Sequence, residues 1–257
     1  MSDSMQGQAV LVTGASSGIG QAAAVKFAQH GADVALMARR EDRLQTLAKE
    51  LVDLGVKAIP IAVDLTDMAA LDAAFDRAVE GLAGLDVLVN AAGIIASGTI
   101  ENTPMSQWEK MFAINTQAPF RLMQKAMPYL IERQGSVVNV SSVTGLRSFP
   151  GILSYCTSKA AVDQLTRCAA LEMAPKGVRI NAVNPGVVVT HLHRSGMMDE
   201  AAYADFLEHS KTTHPLGRVG QPEEVADLIL FLASPQASWI TGVTYEIDGG
   251  RFLTCAR

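Results

Sequence analysis

Runs of apolar residues without polar alternation recur along the chain: Val10-Leu11-Val12, Val34-Ala35-Leu36-Met37, Val87-Leu88-Val89 and Ser136-Val137-Val138-Asn139-Val140. A strand that is apolar at nearly every position has no face to offer to water. It must lie inside a sheet that is covered on both sides. Between these runs stand longer segments of helical periodicity, and regular alternation of strand and helix makes the sheet parallel. The pattern therefore narrows the fold to a doubly wound α/β domain with helices on both faces. Strands are expected over 9–12, 34–38, 57–63, 85–90, 136–140, 178–183 and 244–247. Helices are expected from the first glycine-rich turn to 29, and over 41–54, 68–82, 106–133, 155–174 and 222–233. Ser106 and Glu109 have capping character at the start of the long fourth helix. Within it, Pro119 is expected to bend the helix and Pro128 to end or kink it. No linker, repeat or low-complexity segment divides residues 1–257, so the chain reads as one domain with a lid at about 190–217.

Composition excludes several classes of function. With 257 residues, 49% of them hydrophobic, the chain can bury a large core. Its net charge is −5 with Lys and Arg spread thinly, which gives no basic stripe for nucleic acid. No apolar run approaches the roughly 18 residues a membrane span needs. Residues 1–8 are polar and lack a basic n-region, so they do not read as a signal peptide. Three cysteines, Cys156, Cys168 and Cys255, are odd in number and form no Cys-x-x-Cys. They read as reduced thiols of a cytoplasmic protein.

The first apolar run enters Thr13-Gly14-Ala15-Ser16-Ser17-Gly18-Ile19-Gly20. Glycines at 14, 18 and 20, after a strand and opening a helix, let backbone approach a pyrophosphate where helix N–H groups and dipole favour an anion. The spacing departs from the usual G-x-G-x-x-G of a Rossmann turn, while its position matches one. A dinucleotide that carries a 2′-hydroxyl calls for an acid at the end of the second strand. Here that strand ends Met37-Ala38-Arg39-Arg40. Two guanidinium groups and no acid favour a 2′-phosphate, hence NADP(H) over NAD(H), with NAD(H) the alternative. Asp64, after the third strand, is open to two readings: acceptor for an adenine amino group, or helix cap.

Tyr155 and Lys159 stand four residues apart in a segment free of glycine and proline, which stacks them on one helix face. A neighbouring ammonium favours phenolate and lowers the tyrosine pKa, making Tyr155 a proton donor or acceptor. On its own the pair reads equally well as a solvated helix face.

Thr13-Gly14-x-x-x-Gly18-Ile19-Gly20, Asn90-Ala91-Ala92-Gly93, Asn115, Ser142, Tyr155-x-x-x-Lys159, Asn184-Pro185-Gly186 and Asp248-Gly249-Gly250 occur in that order. Together they resemble the short-chain dehydrogenase/reductase family in its roughly 250-residue form, over the whole chain. Ala91 departs from the family's Asn-Asn-Ala-Gly. The resemblance implies a single Rossmann domain with a seven-stranded parallel sheet and a nicotinamide cofactor at the carboxyl ends of the strands. It implies Tyr155 as general acid/base, Lys159 as the group that lowers its pKa and binds the nicotinamide ribose, Ser142 as partner of the substrate oxygen, and Asn115 as holder of a water in a proton relay. Thirteen residues separate Ser142 from Tyr155, which fits the family better than Ser141 does. The expected cofactor set is Gly14, Ser16, Ser17, Gly18, Ile19, Gly20, Arg39, Arg40, Asp64, Leu65, Asn90, Ala91, Gly93, Pro185, Gly186, Val188 and Thr190, joined by Tyr155 and Lys159.

The implied reaction interconverts a small-molecule ketone and a secondary alcohol. The end-to-end pattern is similar to 3-oxoacyl-thioester reductases, and sugar, steroid and small-ketone enzymes share it. A catalytically inactive dinucleotide-binding scaffold is the reading from another class. Enoyl-thioester reduction normally spaces its tyrosine and lysine more widely. Position suggests Ile94, Ile95, Arg147, Phe149 and Leu153 around an apolar pocket, and a lid contributing Leu192, Met197, Met198, Tyr203 and Phe206. His191 and His193 alternate with no third ligand nearby, so no metal is expected. Family members are usually homotetramers, or homodimers, built on the helices at 106–133 and 155–174 and the last strand. The tail 251–257 receives no role.

Overall fold

The structure, a computed structural model, describes residues 5–192 and 198–254. Its strands are β1 (Ala9–Thr13), β2 (Asp33–Ala38), β3 (Ala58–Ala62), β4 (Val87–Asn90), β5 (Ser136–Val140), β6 (Arg179–Pro185) and β7 (Thr244–Ile247). All pair in parallel, in the order β3-β2-β1-β4-β5-β6-β7. Every residue of β1, β4 and β5 is buried, which is why their sequences show no alternation. Successive side chains still point to opposite faces. Val10, Val12 and Leu36 join one apolar cluster with α1 (Gly18–Gln29), α2 (Glu41–Val52) and α9 (Pro222–Ala233). Leu11, Met37 and Leu88 join the other, with α3 (Met68–Leu82), α5 (Ala118–Arg133) and α7 (Leu153–Met173). Each fully buried Leu, Ile or Phe contributes about 1.5–3 kcal/mol. Pro60 lacks an amide donor and is tolerated because β3 is an edge strand that pairs only with β2.

The long fourth helix differs from the expectation. It begins at Met105 after Pro104, so Ser106 and Glu109 do not cap it. Helix α4 (Met105–Phe112) runs into a π-helical turn, Ala113–Gln117, and only then into α5. The irregularity lies before Pro119, which occupies the first turn of α5, and Pro128 sits inside α5 without ending it. Strand β6 extends through Pro185, past the expected end. Two helices were not anticipated: α6 (Val143–Leu146) and α8 (Glu200–Thr213), the latter capped by Asp199 accepting from the Ala202 amide at 2.8 Å. No helix among the described residues is long and apolar enough to cross a membrane.

Connections from β1 run outward through β2 to β3, and from β4 the other way to β7. Between β1 and β4 the order reverses, which opens a crevice at the carboxyl ends of the strands.

Candidate active site

A cleft of about 830 Å³ occupies that crevice, from the turn after β1 to the α8 side. At its first end the backbone does the shaping. Gly14 has φ 69°, and a Cβ there would stand 2.8 Å from the Ala92 backbone. A Cβ on Gly20 would stand 2.5 Å from the Gly14 carbonyl oxygen, so the helix can start against the turn only without a side chain. The first-turn amides of α1 have no intrahelical acceptor, and the Ser17 hydroxyl does not cap them. It instead accepts from Arg40 at 2.8 Å, while Arg40 also donates to the Ser16 hydroxyl and carbonyl at 3.1 Å. Arg40 is thus tied to the turn. Arg39 lines the same cleft and makes no hydrogen bond or ion pair with a described residue.

Asp64 lines the cleft and also makes local contacts. Its carboxylate accepts from the Thr66 amide and hydroxyl, both at 2.9 Å, which together with Arg39 and Lys110 hold its pKa below the usual carboxylate value. The cap of α3 is Asp67, not Asp64.

In the middle of the cleft, α7 sets Tyr155 and Lys159 on one buried face. The Lys159 Nζ lies 5.8 Å from the Tyr155 ring centre and donates to the Val140 carbonyl at 2.8 Å. Burial pushes the lysine down to about 8, Asp163 opposing. Burial pushes the Tyr155 phenol up to about 12, with the Ser142 hydroxyl offsetting part of the rise. Loss of hydration is thus the largest influence on the phenol in this pocket. Ser142 occupies the N-cap of α6, its Oγ accepting from the Thr144 amide at 3.2 Å. Gly145 lets α6 lie on α7, since a Cβ there would reach 2.3 Å from Asp163.

Of the expected site residues, the cleft brings together Gly14, Ser16, Ser17, Gly18, Ile19, Gly20, Arg39, Arg40, Asp64, Leu65, Ala91, Gly93, Ser142, Tyr155, Lys159, Pro185, Gly186, Val188 and Thr190. Two lie behind its wall. The Asn90 amide is inside the sheet, donating to Asn139 at 2.9 Å. The Asn115 amide clamps Ile94, accepting from its N–H at 2.9 Å and donating to its carbonyl at 3.0 Å, and donates to Ser158 at 3.0 Å. Ile94, Ile95 and Phe149 border the cleft as expected; Arg147 and Leu153 do not. Arg147 turns instead to the C-terminal segment and donates to the Phe252 carbonyl at 2.6 Å. Leu192, Met198 and Phe206 line the cleft, whereas Tyr203 is buried with its hydroxyl donating to the Thr190 carbonyl at 3.0 Å. Met197 and His193 lie outside the described residues.

Three residues escaped the sequence reading. Asp163, buried, accepts from Asn184 at 3.0 Å and faces Lys159; its place four residues after Lys159 was the available signal. His214, buried, accepts from the Val187 amide at 3.1 Å through Nε2 and meets the Ser210 carbonyl through Nδ1 at 2.6 Å. Arg251 lines the cleft from the far end of the sequence, with no local pattern to announce it.

The residues present fit a dinucleotide. Glycine-bared backbone and uncapped helix amides suit a pyrophosphate. Lys159, buried, uses one of its three N–H groups on Val140 and lines the cleft beside Gly93, where an added Cβ would stand 3.5 Å from Nζ.

A family model described as "Enoyl-(Acyl carrier protein) reductase" matches residues 14–251. The chain is 38% identical to a 3-oxoacyl-[acyl-carrier-protein] reductase of Thermotoga maritima, over 96% of this chain and 98% of the relative. It is also 38% identical to a 2,5-dichloro-2,5-cyclohexadiene-1,4-diol dehydrogenase of Sphingobium indicum, over 97% and 98%. Among solved structures, a 3-ketoacyl-(acyl-carrier-protein) reductase of Brucella melitensis complexed with NADH superposes with TM-score 0.87 at 31% identity, covering 96% of this chain and 99% of that one. With the parallel sheet, the glycine turn and the Ser142–Tyr155–Lys159 cluster in one cleft, the chain belongs to the short-chain dehydrogenase/reductase family, oxidoreductases that act between CH–OH and ketone groups with a nicotinamide dinucleotide.

Proposed function

We propose that this protein is an NADP(H)-dependent oxidoreductase that interconverts a ketone and a secondary alcohol, with Tyr155 as the proton-transfer group. The observation that carries the reading is a buried phenol beside Ser142 and Lys159 in the same cleft as Arg39 and the phosphate turn. The bound dinucleotide supplies the hydride. The chain's residues do the rest. Hydroxyls of Ser142 and Tyr155 hold the substrate oxygen and stabilise charge that builds on it. A phenol at about 12 is protonated at neutral pH, so Tyr155 is set to give its proton to a reduced carbonyl. Taking a proton from an alcohol is harder and gains from the charge of the Lys159 ammonium, which is lost as pH rises through about 8.

Reprotonation of Tyr155 runs through Lys159. The Asn115 side chain has both amide hydrogens committed, so a relay water at this residue would use its main-chain carbonyl. Pro119, four residues on, has no N–H to take that carbonyl, and the π-turn further displaces it from α-helical pairing. At the adenine end, Arg39, with no hydrogen bond or ion pair to a described residue, is the cation for a 2′-phosphate, since β2 ends in Arg39-Arg40 and not in an acid. The NADH held by the Brucella relative keeps NAD(H) as the competing cofactor. The reading takes the protein to be cytoplasmic, with Cys156 and Cys168 as free thiols. It also takes it to be a homotetramer or homodimer: Leu171 on α7 and Tyr245 on β7 present apolar surface, 80% and 49% exposed, for a second copy to cover.

The test is a ketone panel with NADPH on the wild type and Tyr155→Phe. The variant should lose about 10²–10⁴ in kcat while binding NADPH as before; retained turnover would exclude Tyr155 as the proton donor.

A further inference from the structure

Arg251 stands at the substrate end of the cleft, and no carboxylate among the described residues forms an ion pair with its side chain. It lies in the 3₁₀ turn Arg251–Leu253, after Gly250 at φ 86°. It is partly buried, and its guanidinium carbon is 4.9 Å from the centre of the Phe149 ring. That side chain makes no hydrogen bond or ion pair with a described residue. The nearest carboxylate, Asp248, is engaged elsewhere: its oxygens accept from the amides of Gly250 at 2.9 Å and Phe252 at 2.5 Å. Arg147 adds a second positive charge close by and fixes the turn, donating to the carbonyls of Arg251 at 3.3 Å, Phe252 at 2.6 Å and Thr254. Burial and Arg147 both push the Arg251 pKa down against Asp248. The neighbouring cleft wall is apolar, formed by Phe149, Ile152, Leu192, Met198 and Phe206.

A guanidinium drawn from water with no hydrogen-bonded carboxylate of its own is costly, and an apolar wall concentrates its field in the cleft. Its planar fork matches a carboxylate in two parallel hydrogen bonds. Phe149 belongs to the reacting end: its carbonyl lies 3.9 Å from the sulfur of Cys156, the residue after Tyr155. We propose that Arg251 binds the free carboxylate of the substrate, so that the enzyme acts on an oxo acid, or the corresponding hydroxy acid, whose hydrocarbon lies against the apolar wall. This rests on the proposed ketone–alcohol chemistry and narrows its substrate to an anion. A neutral thioester of the same acid leaves Arg251 unanswered.

The test compares oxo acids of graded chain length with their methyl esters, using NADPH or NADH as cofactor. The wild type should prefer the best acid over its ester by about 10- to 100-fold in kcat/KM, the range of one charge-assisted hydrogen-bonded contact. Arg251→Met should bring the ratio close to one, and Arg251→Lys should keep most of it. Calorimetric binding of the same acid–ester pair to the cofactor-loaded protein gives the same ratio without requiring turnover. Esters reduced as well as acids, with a ratio that Arg251→Met does not move, would overturn the carboxylate proposal and leave the ketone–alcohol reading standing. Acid bound selectively through Arg251 but never reduced would support the carboxylate site and overturn that reading.

Discussion

Arg39 and Arg40 line one end of the cleft, and Arg251 lines the other with Arg147 behind it; in each pair one arginine is hydrogen-bonded to the protein while the other is not. At the dinucleotide end Arg40 braces the phosphate turn through Ser16 and Ser17, and Arg39 stays unpaired. At the substrate end Arg147 braces the C-terminal turn through its carbonyls, and Arg251 stays unpaired. The braces differ in what they hold. The turn after β1 is made of backbone that glycine allows to close, and it recognises what every dinucleotide shares. The far end is made of side chains contributed by loops and helices distant in sequence, and on the proposal made above it recognises what only one substrate class has. The proposed roles thus assign generic binding to main chain at strand ends, and selection to single side chains added to it.

The sharpest way to break the generic end is to give Gly20 a side chain. Gly20→Ala places a Cβ 2.5 Å from the Gly14 carbonyl, so the turn must shift, at about 1–3 kcal/mol. Titration should show NADPH and NADH affinity falling together by about tenfold or more. Gly55→Ala is the control. Gly55 has φ 87° with nothing within 4 Å of the added Cβ, so it should lower the melting temperature and leave cofactor affinity unchanged. Equal cofactor loss in both would mean that the turn's packing is not special.

A smaller effect separates brace from selector. Arg40→Ala should weaken NADPH and NADH by the same factor, about three- to tenfold, because it loosens a turn common to both. A loss confined to NADPH would assign Arg40 to the 2′-phosphate and overturn the division of labour.

The smallest effect concerns pH. Burial, and Arg251 to a lesser degree, hold His214 below the ordinary 6.5, against the Ser210 carbonyl and Asp248, which raise it. The folded chain therefore binds fewer protons at this site than the unfolded chain. Stability from it is complete above about 6.5 and is lost as pH falls below that value. Protonation would also end acceptance from Val187, in the cleft wall. Denaturant melts at pH 7.5 and 5.5 should show a smaller drop for His214→Gln than for wild type; an equal drop would place the acid sensitivity elsewhere.

The same division explains what the sequence disclosed. Buried parallel strands write their environment as unbroken apolar runs, so the seven strands and the turn after β1 were legible, with bounds shifted by up to two residues. Tyr155 and Lys159 were legible because helical spacing puts them on one face. Other features left no local trace. Arg251 enters the cleft from a turn whose direction depends on Arg147, more than a hundred residues earlier. His214 acts through contacts to Val187 and Ser210 that no spacing rule links. The π-turn at Ala113–Gln117 looks like ordinary helix in sequence, and Pro119 drew attention to the wrong residue. Asn90 joins the expected cofactor set through the Asn90-Ala91-Ala92-Gly93 motif, and its side-chain amide donates to Asn139 on the neighbouring strand, a partner that no local pattern announces.

Arg39 offers the most direct test of the claim that single unpaired side chains select on a backbone-built site. The measurement is kcat/KM for NADPH and NADH on one ketone, in wild type and Arg39→Ala. The wild type should prefer NADPH. In the variant NADPH should fall about 10- to 100-fold, as expected for a lost charge-assisted phosphate contact, with NADH changing by no more than about twofold. Equal use of both cofactors by the wild type, or an NADPH preference that survives Arg39→Ala, would contradict the account.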